Sequence, residues 1–113
     1  MILYNVTVKI DNTAHDEWLA YMQHTHIPEV MQTGCFLENR MSRMVIPADP
    51  EQDGVTYSIQ YLCSNMAILQ QYQARFAPTL QQDHTRRYEG KFVAFRTVME
   101  IVSSITRQEI SQN

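Results

Sequence analysis

The chain has 113 residues, 12 Asp+Glu against 9 Lys+Arg for a net charge of −3, and a hydrophobic content of 44%, ordinary for a globular protein. A chain of this length buries roughly two-thirds of its unfolded surface, so it needs neither a metal nor a disulfide framework to fold. Its basic residues are scattered apart from Arg86-Arg87, which argues against a phosphate-backbone binder and leaves nucleic acid out of the expected partners.

Residues 2 to 10 alternate, with Ile2, Tyr4, Val6, Val8 and Ile10 on one face, and predict a strand with one buried side. Asp11 or Asn12 can cap a helix in which Trp18, Leu19 and Met22 recur at helical spacing as far as about His24. Pro28 disfavours helical geometry at Ile27, so Pro28 to Thr33 reads as a separate turn of helix ended by Gly34. Cys35 to Ile46 is strand-like but polar on parts of both faces, which suits an edge strand or a wet interface. Pro47-Ala-Asp-Pro-Glu-Gln-Asp-Gly54 is the strong loop signal and joins two antiparallel strands.

The next strand puts Val55, Tyr57, Ile59, Tyr61 and Cys63 on its apolar face. Ser64 or Asn65 then caps a helix striped by Leu69, Tyr72, Phe76, Leu80 and His84, kinked or restarted at Pro78 and stopped by Gly90. The last strand, residues 91 to 102, is read with Val93, Phe95, Thr97, Met99 and Ile101 on one face and Phe92, Ala94, Arg96 and Val98 on the other. One domain over residues 1–102 and a weakly patterned tail from Ser103 to Asn113 are expected, the tail disordered or docked on a partner subunit.

The order β-α-β-β-α-β predicts an α+β, ferredoxin-like fold, an antiparallel sheet with both helices on one face. The opposite face would carry Leu3, Asn5, Thr7, Lys9, Thr56, Ser58, Gln60, Leu62, Phe92, Ala94, Arg96 and Val98. Two such sheets packed back to back would cover its apolar members, giving a homodimer. No apolar run approaches the ~20 residues that cross a bilayer. The N-terminal stretch lacks the features of a signal peptide, so no membrane contact and a cytoplasmic location are expected. Cys35 and Cys63 fit no C-x-x-C pattern and are expected as free thiols, and the seven methionines as core or interface filler.

Tyr4-Asn-Val-Thr-Val, His15-Asp-Glu-Trp18, His26-Ile-Pro-Glu-Val-Met31 with Gly34, Thr56-Tyr-Ser-Ile-Gln-Tyr61, and His84-Thr-Arg-Arg-Tyr88 with Gly90-Lys-Phe-Val-Ala-Phe-Arg96 resemble DUF4286, a family of small bacterial proteins defined as a domain of unknown function. The likeness covers about residues 1 to 102. More distantly, His-x-Pro-Glu ending a helix before a Gly-led strand is similar to dimeric α+β barrel proteins, among them small monooxygenases, isomerases and haem-degrading enzymes. The resemblance implies a dimer with a cavity and names no reaction or cofactor.

Candidate chemistry comes from three groupings. Topology gathers His24, His26, Cys35 and Cys63 at one end, a zinc-capable set or plain packing, since His24 and His26 diverge on a continuing helix. His84, the other candidate acid or base beside His26, is placed near His15 and Asp16 and away from His24 and His26, either as a base or as a half-buried histidine satisfied by a neighbour. Tyr4, Trp18, Tyr57, Tyr61, Tyr72 and Phe95 would line a cavity for a planar ligand or fill the core. Arg40, Arg43 and Arg96 project from strands, and whichever faces the interior could anchor an acidic group. G-x-G-x-x-G, P-loop and G-x-S-x-G motifs are absent. Two readings follow: a small-molecule binder or enzyme with a pocket between helices and sheet, or an assembly module whose aromatics are core.

Overall fold

The structure is a computed structural model that describes residues 1–108. β1 (Ile2–Asp11) turns Ile2, Tyr4, Val8 and Ile10 into the core through the alternation of its side chains. Asp11 ends it by capping a short 3-10 turn, its carboxylate accepting the Thr13 N–H at 2.8 Å. The chain then enters α1 (His15–Tyr21).

The first helix does not stop near His24. It widens into a π-helical turn over Met22–His26 and continues directly as α2 (Ile27–Gln32). Proline lacks an N–H and its ring crowds the carbonyl four residues back, which is why a break at Pro28 is the simple expectation. The widened turn relieves that conflict: the Ile27 N–H reaches the Met22 carbonyl, five residues back, and Ile27 itself stays helical. Gly34 ends the run at φ +76°, a conformation that favours glycine.

β2 is shorter than the strand-like stretch, Glu38–Arg43, because Cys35 and Phe36 are drawn into the core ahead of it. After the loop, β3 (Gly54–Cys63) buries Tyr57, Ile59, Tyr61 and Cys63. Asn65 caps α3 (Met66–Arg75) by accepting the Ile68 N–H at 3.0 Å, and the helix breaks at Phe76 and restarts as α4 (Ala77–Arg87) with Pro78 in its first turn. β4 (Phe92–Glu100) closes the fold.

The four strands lie in the order β2-β3-β1-β4 with every neighbouring pair antiparallel. This is the α+β ferredoxin-like architecture. The core fills the space between the helices and the sheet face carrying Tyr4, Val8, Tyr57, Ile59 and Tyr61. No helix among the described residues is long and apolar enough to cross a membrane.

The faces of β4 are the reverse of the sequence reading. Arg96 pairs with Val6, Ala94 with Val8 and Phe92 with Ile10, so these three share the helix side, while Phe95 pairs with Thr7 and Val93 with Lys9 on the outer side. Apolar residues occupy both faces of this edge strand, so its own alternation fixes no register; pairing with β1 does. Val93 and Phe95 are consequently 66% and 63% exposed. Of the tail, residues 101–108 carry no regular structure and 109–113 lie outside the described residues.

Candidate functional site

A cavity lies between α4, the first helical run and the sheet. Val6, Val8 and Ile59 form its floor, Met22 and Val30 close it from the first run, and Phe92 and Ala94 line the side toward β4. Its rim includes Thr85 of α4 and Arg96 of β4, both exposed. The cavity volume is about 50 Å³.

Two histidines face each other within it. His26 stands on the π turn and His84 on α4, their ring centroids 5.6 Å apart. The sequence reading separates them, because it ends the first helix at His24 and sets His84 beside His15. Continuation of the helix puts Trp18, Met22 and His26 at spacings of four on one face. The break at Phe76 brings α4 against that face, one turn before its end.

Trp18 is fully buried, and its indole N–H donates to His84 Nε2 at 2.9 Å. Indole is only a donor, so Nε2 accepts and the neutral ring carries its proton on Nδ1. Burial, the neighbouring His26 and the Arg96 guanidinium lower the His84 pKa to about 4. Burial likewise lowers His26 to about 4, Asp83 opposing the fall and Arg96 adding to it. Both imidazoles are neutral at pH 7. The Nδ1 of His26 is buried without a hydrogen-bond partner among the described residues.

Tyr4, Tyr61 and Tyr72 complete the wall. Phe36 packs among them, 4.8 Å from Tyr72 and 5.0 Å from Tyr61 between ring centroids. Burial pushes the phenols of Tyr61 and Tyr72 well above their ordinary range, so they remain O–H groups able to donate or accept. Arg96 is the charged side chain of the lining, and no ion pair holds it among the described residues.

The remaining expected site residues lie elsewhere. Arg40 pairs with Gln60 on the outer sheet face, away from the cavity, whereas Arg43 pairs with Tyr57 on the helix side. Phe95 is on the outer face for the reason given above. Tyr57 borders a separate open groove with Leu19, Gln23, Ile27, Asn39, Met41 and Arg43. Its hydroxyl receives Arg43 Nε and Nη2 at 3.2 and 3.1 Å and lies 2.6 Å from His15 Nε2, whose Nδ1 is 2.9 Å from Asp16.

His24, His26, Cys35 and Cys63 do not assemble. Among the described residues no three potential metal ligands share one place, and the Cys63 thiol donates instead to the Asn65 carbonyl at 3.3 Å. Sequence reasoning missed Gln81 and Thr85, which no motif marks, and Met22, whose spacing from Trp18 and His26 was the available signal.

Several solved structures share this fold. A dimeric ferredoxin-like protein from an uncultured marine organism superimposes with a TM-score of 0.69 at 10% identity, covering 92% of this chain and 97% of that one. A mutant of MhuD with two manganese protoporphyrin IX molecules bound per active site gives 0.70 at 14% identity, with 95% and 100% covered. A mutant of SnoaB, a cofactor-independent oxygenase from Streptomyces nogalater, gives 0.65 at 9% identity, with 94% and 98% covered. At such identities the likeness establishes the fold alone. No curated protein matches the chain. Residues 1–102 match the model of a family described as a domain of unknown function, and the chain belongs to that family, DUF4286.

Proposed function

We propose that the protein binds a small molecule in the cavity beneath α4, as a homodimer joined through the outer sheet face. One observation carries the ligand reading: neutral imidazoles, phenols and a guanidinium that is unpaired among the described residues border a cavity whose other walls are mostly apolar. Convergent polar groups in a concave, largely apolar site are what orient a ligand. His26 and His84 are the groups placed to exchange hydrogen bonds or a proton with it, His26 the freer because Trp18 occupies one nitrogen of His84. Arg96 stands where an acidic group would enter.

The porphyrin of MhuD does not transfer. The void, about 50 Å³, is far too small for a tetrapyrrole, and His84 Nε2 is already engaged. The proposed dimer rests on the outer face, where Val93, Phe95 and Met99 are 66%, 63% and 39% exposed beside Leu3 and Leu62. That same face supports the second reading, an assembly module without a ligand.

Native mass spectrometry of the full chain separates the two. A dimer carrying extra mass that disappears in Ala94→Trp, a substitution that fills the cavity, is the expected result. A dimer that never carries or accepts a ligand would leave the assembly module as the function.

A further inference from the structure

The cavity's charge, size and unmet hydrogen bond together describe its occupant, given the reading of the cavity as a binding site. Among the described residues the lining holds one guanidinium and no carboxylate, so the fixed charge they supply is positive. Arg96 is unpaired among the described residues and sits at the exposed rim, and its planar fork matches a carboxylate in two parallel hydrogen bonds.

Deeper in, the flat groups dominate. The Phe92 ring stands edge-on to His84 at 4.6 Å between centroids, and Tyr4, Tyr61 and Tyr72 bound the space. Such walls favour a planar guest, and a void of about 50 Å³ behind the open mouth admits no more than one ring. A buried nitrogen without a partner costs free energy that a ligand can recover. The Nδ1 of His26 is that nitrogen, and a hydroxyl, which donates or accepts, satisfies it in either tautomer.

We propose that the ligand is a single-ring hydroxylated aromatic acid, its carboxylate bound by Arg96 at the rim and its hydroxyl bonded to the Nδ1 of His26 inside.

Calorimetric titration of the full chain with four probes, 4-hydroxybenzoate, benzoate, phenol and hexanoate, tests each part separately. The expected order has 4-hydroxybenzoate tightest, benzoate about tenfold weaker for the lost hydrogen bond, and phenol at least tenfold weaker for the lost charge. In Arg96→Gln the acid should fall to the level of phenol while phenol is unchanged. In His26→Phe the advantage of 4-hydroxybenzoate over benzoate should vanish. Phenol binding as tightly as the acids, or an Arg96→Gln protein that still prefers them, overturns the assignment of an acid and leaves the pocket standing. Hexanoate matching benzoate overturns the aromatic part in the same way. No heat with any probe, in a protein whose circular dichroism shows it folded, overturns both this inference and the small-molecule reading beneath it.

Discussion

Trp18 and His84 lie sixty-six residues apart in sequence and share one buried hydrogen bond, indole N–H to Nε2 at 2.9 Å. That bond ties the first helical run to α4 directly above the cavity and fixes which nitrogen of His84 is free to act. Trp18→Phe keeps an aromatic ring but leaves a buried acceptor unmet and removes packing volume. It should destabilise the fold by about 2–4 kcal/mol, measured as a shift in the urea midpoint followed by far-UV circular dichroism. A midpoint within error of the parent would show that the bond contributes nothing.

The neutral histidine pair sets a pH dependence. With folded pKa values of about 4 against 6.5 for the free side chain, the unfolded chain binds more protons than the folded one between those limits. Stability is therefore full above about pH 6.5 and declines as pH falls toward 4, by an amount on the order of 2 kcal/mol per histidine once solvent screening is allowed for. Urea midpoints measured at pH 7 and 4.5 should show the decline, and His26→Gln and His84→Gln should each flatten it. Equal slopes in parent and variants would assign the decline to other groups.

The Tyr57 hydroxyl is the meeting point of Arg43, whose guanidinium donates to it, and of His15, whose Nε2 lies 2.6 Å away. This junction fastens the start of α1 to the sheet. Tyr57→Phe should cost about 1–3 kcal/mol. A double-mutant cycle with Arg43→Ala should give a positive coupling energy, whereas strict additivity would mean the contacts are energetically independent.

On the outer face, Phe95 projects 63% exposed between Val93 and the β1 side chains. Phe95→Glu should convert the proposed dimer to a monomer in sedimentation velocity without altering secondary structure, because the side chain has no role in the core of one subunit. A parent protein that is already monomeric at micromolar concentration would remove the proposed interface.

The element order and the faces of β1 and β3 were legible because both central strands carry clean alternation, apolar at every second residue from Ile2 to Ile10 and from Val55 to Cys63. β4 was not, since Phe92 and Ala94 on one side and Val93 and Phe95 on the other are equally apolar, and pairing with β1 alone decides between them. The histidine pair was hidden by a local rule that is sound in isolation. Pro28 argues for a helix end, and only the extra residue taken up by the π turn lets the helix continue and present His26 to α4. The cavity rests on that non-local packing, which no spacing in the chain reports.

The reversal of β4 shows how much hangs on one strand's position. Sliding it a single residue along β1 would carry Phe95 into the cavity and expel Arg96, exchanging a charged mouth for a greasy plug. The chain pins the strand at both ends against this. The Asp11 N–H bonds to the Lys91 carbonyl at 2.8 Å and the Ile101 N–H to the Met1 carbonyl at 3.0 Å, so the two outermost rungs of the ladder hold the guanidinium at the cavity mouth.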